Sequence, residues 1–504
     1  MDRSVAQGRR ADPGRLPATD GQPHRRPDPR ISRGLAIAVG LLLGVAALAV
    51  YSVTYVDRYY DHFVWQAAAF LEGHAAIRFP VEAAGGLPGN ARFQDVLPIA
   101  TTDGVARGLL PFPPLPALVL LPFVAAWGLS VNDQAIFMVL AAIDVALCWW
   151  MIGRLPVGVV VRLATTIFFA FGTVFWYTAQ ISTTWYQAHI VAVGLTFLAI
   201  GIALGADPGS ADDVFDDTGD VADVDEVPID DVAGERPAGR SFGVEPRGFL
   251  AGVLFGLAST ARLTVIFGAP FFAFVGRGDL RRRAWSAGLG AAIPVLGLVL
   301  YNVLTTGQVF HPAYDHLYRL ETAGYPSLGY HADWGAEDPR YLPQNLGIAL
   351  FGTPDLAPST LPESISAHPT PVCVEPSDER GLFDVACPLA VPRDTGMSVI
   401  LTSPAYLLAI PVLRRYGRSR LVTGAVLAVG FIALVNLMHF SQGWVQFGYR
   451  FSNDAAPFAL ILVALGFERL STRYRWGMLA AMALVVLSLA INLWGVLWSR
   501  LLAW

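Results

Sequence analysis

The sequence predicts an all-α polytopic membrane protein with about eleven membrane-spanning helices, inside bounds of about nine and thirteen. Three observations carry that reading. Hydrophobic residues make up 54% of the 504, and mean hydropathy is +0.48. Charged residues are only 15%, where soluble globular chains carry about 25%. Apolar runs of about 20 residues recur along the chain, each long enough to cross a bilayer as a helix that satisfies its own backbone polar groups. Net charge is -5, and lysine is absent, so every strong base is arginine.

Taken in order, residues 1–33 are rich in arginine and proline and lack an apolar core, which reads as a disordered cytoplasmic tail and not as a cleaved signal. A first membrane part, 34–205, holds a span at about 34–56, a loop over 57–111, and spans at about 112–130, 134–152, 157–179 and 185–205. Residues 206–247 follow, with twelve Asp or Glu between Asp207 and Glu235 and no base among them. Such a stretch buries too little apolar surface to fold alone and is expected to be a disordered acidic linker. Its acids lack the glycine-pivoted spacing of a calcium loop. Residues 248–306 give two more runs, about 248–276 and 284–306. A large loop over 307–396 precedes the C-terminal membrane part, 397–504, with spans at about 397–413, 420–440, 451–468 and 476–498. The 248–276 run is long and interrupted around Ser259 to Arg262, so it also fits a re-entrant pair.

Arginine placement sets the expected orientation, because cytoplasmic loops retain positive charge during insertion. The tail and the loops at 277–283, 413–420 and 468–475 are the basic segments. Counting from a cytoplasmic N-terminus in the plasma membrane puts all four inside and places 57–111, 206–247 and 307–396 outside; a re-entrant pair at 248–276 would instead move 206–247 inside. Cys373 and Cys387 fall in the large loop, where an oxidising compartment lets them pair; two free thiols are the alternative. Cys148 sits inside a span and reads as packing. No CxxC or Cys/His cluster offers a thiolate metal site. The basic clusters are topogenic loops, so nucleic-acid binding has no support.

Chemistry concentrates after the first span, in YYDHFVWQAAAFLEG at 59–73. Phe63, Ala67, Phe70 and Leu71 share one helical face, predicting a short amphipathic helix along the outer membrane surface. Asp61 opens it, either as an N-cap accepting from free backbone N–H groups or as a general base whose pKa reduced hydration raises. Asp57 and Asp103 are weaker candidates for the same role.

From this segment onward the chain resembles the GT-C fold membrane glycosyltransferases, in particular bacterial membrane proteins allied to protein O-mannosyltransferases and lipid A aminoarabinose transferase. The resemblance rests on the acid opening an "A-x-x-F-L-x-G" helix and the proline-punctuated LLPFPPLPALVLLPFVAAWG at 109–128. It continues through QISTTWYQAHI at 180–190, GLASTARL at 256–263, YNVLTTGQVFHPAYDH at 301–316 and SQGWVQFGYRFSNDAAPF at 441–458, covering about residues 34–470. It implies transfer of a sugar from a polyprenyl-phosphate carrier to an acceptor on the outer face, with Asp61 as base. His62 stands where many relatives carry a second acid, which keeps Asp57 in play as the base. It also leaves metal dependence open, with no cofactor obligatory and no metal ligand set to name.

A phosphate leaving group needs positive charge near the outer surface. Arg262 interrupts an apolar run, where an unpaired charge costs about 2.5–3.5 kcal/mol or more; it is read either as a donor-phosphate ligand or as an ion pair with Asp144 or Asp454. Arg450, beside Tyr449 at a span boundary, offers a fork of donors for phosphate or an interfacial anchor. His189, His62 and Trp185 are candidate substrate contacts, with His311 and His316 behind them; a packed, hydrogen-bonded histidine is the plainer account of His189. Trp65, Trp185, Tyr186 and Trp444 fit an aromatic belt or a sugar platform. The acceptor, to be read by 307–396, is not specified. A secondary transporter would show repeated halves, and none is visible; a non-catalytic assembly protein of the same fold is the remaining alternative.

Overall fold

A computed structural model describes residues 31–57, 60–78, 95–102, 104–207, 214, 243–324, 328–362, 369–375, 379–443 and 445–504. Helix α1 (Arg33–Thr54) starts where the Ser32 hydroxyl accepts from Leu35 N–H at 3.3 Å. Then come α2 (His62–Leu71), α3 (Leu115–Trp127) and α4 (Asp133–Ile152), the last capped by Asn132 accepting from Ala135 N–H at 2.8 Å. Helices α5 (Val159–Phe171) and α6 (Phe175–Ile181) form a pair bent by 50°. They are followed by α7 (Thr184–Ala206), α8 (Pro246–Ala261), a 3-10 stretch over Leu263–Gly268, α9 (Pro270–Phe274) and α10 (Leu280–Thr306). The large loop contributes α11 (Ala313–Gly324) and α12 (Leu342–Phe351). The chain ends with α13 (Val399–Thr402), a 3-10 stretch over Pro404–Ala409, α14 (Ile410–Leu413), α15 (Arg420–Met438), α16 (Ser452–Arg473) and α17 (Gly477–Leu501).

Among the described residues, seven helices (α1, α4, α7, α10, α15, α16 and α17) are long and apolar enough to cross a membrane, and α5 with α6 makes eight if the bent pair is one span. The chain is a multi-pass helical membrane protein. Shorter apolar helices occupy Leu115–Ser130, Leu263–Phe274 and Pro404–Leu413. The runs that fall short of a full-length helix are those carrying a break: Pro122 within α3, Gly172 and Thr173 between α5 and α6, Arg262 after α8, and Pro404 with Pro411 before the arginine-rich loop.

Hydrogen bonds at the helix ends sort the bundle into two ends. At one end, Gln134 Nε2 donates to Val56 O at 3.2 Å, the Tyr55 hydroxyl meets Gln134 Oε1 at 2.8 Å, and Arg500 donates to Val53 O at 3.1 Å. The chain therefore leaves α1 and enters α4 at the same end of the bundle, and the run at 112–130, expected as a span, does not carry it to the other end. Its helix is 13 residues and packs on α2, with Phe63 and Phe112 rings 6.1 Å apart. At the opposite end, Gly158 N–H donates to Glu468 Oε2 at 2.8 Å, Arg247 to Gly205 O at 3.1 Å, Glu245 N–H to Ser286 Oγ at 2.8 Å and Arg282 to Gly243 O at 3.1 Å, and Arg420 pairs with Asp207. Asp207 and Gly243, the described residues on either side of the acidic stretch, both lie at the end carrying the loops at 277–283 and 413–420. Helix α8 rises from that end, the helix breaks at Arg262, and the 263–274 stretch returns to it, the arrangement that the paired reading of 248–276 describes.

Small residues set how closely α8 and α10 approach. A Cβ at Gly252 would overlap the Ala287 carbonyl oxygen, one at Gly256 the Ala291 backbone, and one at Gly290 the Phe249 oxygen. Glycines four apart on one face allow this backbone contact, which supplies association where lipid offers no hydrophobic drive. Two small sheets lie in the loops. One has strand order β1-β3-β2 (Ile77–Arg78, Arg107–Leu109, Leu97–Ile99), and in the other β4 (Asp355–Leu356) pairs antiparallel with β5 (Ala390–Val391). Cys373 and Cys387 are joined in a disulfide beside that second pair, and Trp498 of α17 donates to Leu382 O at 3.2 Å, tying the stapled loop to the last helix. Cys148 is free and buried.

Candidate functional site

The end of the bundle opposite the arginine-rich loops gathers most of the residues singled out above. Its centre is Asp454, in the first turn of α16 and 2% exposed. One carboxylate takes four donors: His189 Nδ1 at 2.8 Å, Arg262 Nε at 3.1 and 3.3 Å, Thr264 Oγ1 at 2.6 Å and Asn436 Nδ2 at 3.1 Å. These come from α7, the break after α8, the 3-10 stretch and α15, so the break at Arg262 turns the guanidinium and the Thr264 hydroxyl toward a single acid. Of the partners expected for Arg262, Asp454 is the one found. Asp144 lies elsewhere, on α4 against Gly194, its Oδ2 without a hydrogen-bond partner among the described residues.

Phe451 is the hub around which the cations collect. Arg262 Cζ lies 4.7 Å and Arg450 Cζ 5.4 Å from its ring centroid, with the rings of His189 at 6.2 Å, His439 at 5.9 Å and Tyr449 at 5.9 Å. Guanidinium groups on an aromatic face are held by the ring quadrupole with little loss of their outward donors. His439 is bonded to Glu337 at 3.2 Å, and that bond holds the Glu337 carboxyl below its usual range. Tyr449 is buried, its hydroxyl 3.5 Å from Asn436 O.

Arg450 differs from Arg262. It is 9% exposed, stacks on Tyr186 at 5.3 Å, and its Nε has no hydrogen-bond partner among the described residues. Gly443, with φ +89, leaves open the place beside it where a Cβ would stand 2.8 Å from Nε. A buried guanidinium with spare donors is costly unless an anion meets it. At His189, Asp454 takes Nδ1, and the buried Nε2 has no hydrogen-bond partner among the described residues. Fixing one ring nitrogen in this way orients the other as a proton acceptor or ligand.

The first loop borders this cluster through Trp185. The Trp185 ring lies 4.7 Å from that of Tyr60 and 5.8 Å from that of His62, while Tyr186, the next residue, carries Arg450. His62 is buried, and its Nδ1 meets Thr184 Oγ1 at 3.0 Å; because that hydroxyl also donates to Tyr60 O at 3.1 Å, the imidazole is the donor in the pair. His62 therefore pins the start of α2 to the start of α7. Asp61 occupies the N-cap position of α2, yet its side chain makes no capping bond. It lies within electrostatic range of Asp133, a buried acid bonded to Gln187 Nε2 at 2.5 Å. Asp57 is exposed and 3.0 Å from the Tyr55 hydroxyl. On α2, Phe63 and Ala67 are sealed in the core and only Leu71 is markedly exposed, so the predicted apolar face packs mainly against protein. Asp103 and Trp444 lie outside the described residues.

Sequence reasoning missed Asp95, Asp133 and Phe451. Asp95 is 7% exposed, adopts φ +70, and accepts from Trp185 Nε1 at 2.9 Å. Burial pushes its carboxyl up to about 6, with the indole bond and the nearby Arg450 charge opposing. Nothing in its local sequence, QDVLP, marks it; only the fold brings it to Trp185 and Arg450. Asp133 reads in sequence as an ordinary first-turn acid. His311 is buried, accepts from Ala313 N–H at 3.3 Å, and burial lowers its imidazole to about 4. No group of three or more His, Cys, Asp or Glu among the described residues is arranged to hold a metal ion. The chain matches no protein-family model, no curated protein and no solved structure.

Proposed function

We propose that this chain is a membrane glycosyltransferase of the GT-C kind, moving a sugar from a polyprenyl-phosphate carrier to an acceptor on the non-cytoplasmic face of the plasma membrane. The observation that carries the reading is Arg450: a guanidinium 9% exposed, stacked on Tyr186 and Phe451, with an Nε that has no hydrogen-bond partner among the described residues and lies beside Gly443. Such a group suits a lipid-linked phosphate, because it neutralises the charge that develops on the leaving oxygen without rearranging. Arg262, already committed to Asp454, adds positive potential and shape more than free donors. The acceptor oxygen bonds to the anomeric carbon, the bond from that carbon to the phosphate oxygen breaks, and polyprenyl phosphate leaves toward Arg450. The hydroxyl proton passes to a carboxylate of the first loop, for which the sequence offers Asp61 and Asp57.

The topology we favour has eleven traverses, with an N-terminus in the cytoplasm and the arginine-rich end on that side. It omits the run at 112–130 and counts 248–276 as two limbs instead of one, so the total expected from the sequence is kept while its members change. The site end, with the first loop and 307–396, then faces outward.

The test is transfer from a panel of synthetic polyprenyl-phosphate hexoses and pentoses by the full chain in nanodiscs, with Arg450→Gln beside wild type. We expect Arg450→Gln to lower kcat/KM at least about 100-fold, the scale of losing one charge-stabilising group. Unchanged transfer in Arg450→Gln would sink the assignment. The buried cluster of His189, Arg262 and Asp454 would also serve a proton-coupled transporter; solute uptake into proteoliposomes without any sugar transfer would favour that reading instead.

A further inference from the structure

Two carboxylates of the first loop, Asp61 and Asp57, are the bases that the sequence suggests, but a third one stands beside the anion site. Asp95 lies within the first loop, just before strand β2. Its Oδ2 is fixed by the Trp185 indole at 2.9 Å, and among the described residues that indole is the one hydrogen-bond donor to its side chain, so Oδ1 can meet another. Trp185 and Tyr186 are consecutive on α7; the first holds Asp95 and the second carries the Arg450 guanidinium at 5.3 Å. Among the described residues, the groups acting on Asp95 are the Trp185 indole from α7 and the Arg450 charge from the segment before α16. Its backbone sits in the left-handed region, φ +70, which Asp tolerates better than most residues but still at a cost. A nearly buried acid in a strained conformation, clamped through one oxygen by an indole, is a built feature and not a solvated loop side chain.

We propose that Asp95 is the proton acceptor of the transfer reaction, an assignment that rests on the glycosyltransferase reading above. The acceptor hydroxyl donates to Asp95 Oδ1. As its oxygen bonds to the anomeric carbon, its proton moves to that carboxylate, while the bond to the phosphate oxygen breaks and the polyprenyl phosphate anion settles on Arg450. No oxidant, reductant or further reactant is needed. The acid gains a proton beside Trp185, and the leaving group gains charge beside Tyr186, where Arg450 lies. A base titrating near 6 is ionised at neutral pH and still basic enough to take a proton in the transition state.

The experiment uses the full chain in nanodiscs, the panel of polyprenyl-phosphate sugars for transfer, and undecaprenyl phosphate alone as a binding probe. Asp95→Asn is expected to lower kcat at least about 100-fold. The same variant should bind undecaprenyl phosphate as tightly as wild type or more tightly, since a negative charge near Arg450 is removed. Wild-type kcat should fall below pH of about 6 with the slope of one proton. Trp185→Phe removes the hydrogen bond that favours the ionised acid, so the acid limb should move to higher pH, a change that a purely structural role would not produce. Asp95→Asn that folds and transfers at the wild-type rate with the same acid limb overturns the proposal, as does loss of transfer in Asp61→Asn with Asp95→Asn intact. If the wild-type chain transfers nothing across the panel, the glycosyltransferase reading has failed and this assignment falls with it.

Discussion

Replacing Asp454 with alanine tests whether the polar cluster at the site end is what holds it together. The carboxylate accepts from His189, Arg262, Thr264 and Asn436, each from a different segment, and it is 2% exposed. Deleting it removes the acceptor for all four and leaves the Arg262 charge unpaired, its side chain 23% exposed. Breaking a buried ion pair from one side costs about 3–5 kcal/mol, whereas removing both partners is often far less damaging. The partial exposure of Arg262 places the expectation toward the lower figure, about 3 kcal/mol. Asp454→Ala, Arg262→Leu and the double variant form a cycle, read by thermal unfolding in nanodiscs with fluorescence-detected size exclusion. The double variant should be more stable than Asp454→Ala alone, with a coupling of about 1–3 kcal/mol. Additive losses in the cycle would refute the idea that the pair acts as a unit, and a wild-type melting temperature in Asp454→Ala would refute the cluster's structural role altogether.

Other consequences are as direct. Gly252→Val should destabilise by about 1–3 kcal/mol, because its Cβ has nowhere to go but the Ala287 backbone; Gly288→Ala, with nothing within 4 Å, is the matched control and should melt like wild type. Asp95→Asn should raise stability at pH 8 while abolishing transfer. Its folded carboxyl is raised from 3.8 to about 6, so the stability it contributes is complete below about 3.8 and lost as pH climbs through about 6. The gain at pH 8 is bounded at about 3 kcal/mol, from about 1.36 kcal/mol per pKa unit, and should vanish at pH 3.5; a variant less stable than wild type at pH 8 would contradict it. Paired Cys373→Ser and Cys387→Ser changes open a loop of separation 14, which chain entropy values at about 3 kcal/mol. The effect should show as faster proteolysis between 358 and 393 with unchanged melting of the bundle, and equal melting and digestion would show that the staple is idle.

How much of the site could be read beforehand varied residue by residue. Arg262 was visible because a charge inside an apolar run is expensive, and its partner Asp454 was among the two acids that the same rule exposes. Arg450 was visible for its place at a span boundary, but its lack of a partner was not, since that depends on what Gln446, Gly443 and Phe451 do in space. Asp95 was invisible: loop acids are common, and only its contact with an indole more than eighty positions away distinguishes it. Asp61 could be read two ways, and the structure shows it at the cap position without a side-chain cap bond.

Composition and hydropathy alone determined that this is a multi-pass helical membrane protein, because burying so much apolar surface in lipid leaves the helix as the economical backbone solution. Arginine runs likewise marked one end of the bundle, since charge resists translocation locally. Where each apolar run lies in the bundle was decided only by tertiary contacts: hydropathy cannot distinguish the 112–130 run, which stays at one end, from the interrupted 248–276 run, which reaches the other end and comes back. Both are apolar, and the difference lies in hydrogen bonds such as Gln134 to Val56 and Glu245 to Ser286, made between residues whose sequence separation carries no signal. The same physics governs the site, where a carboxylate or guanidinium acquires its character from neighbours that the fold, and not the local chain, supplies.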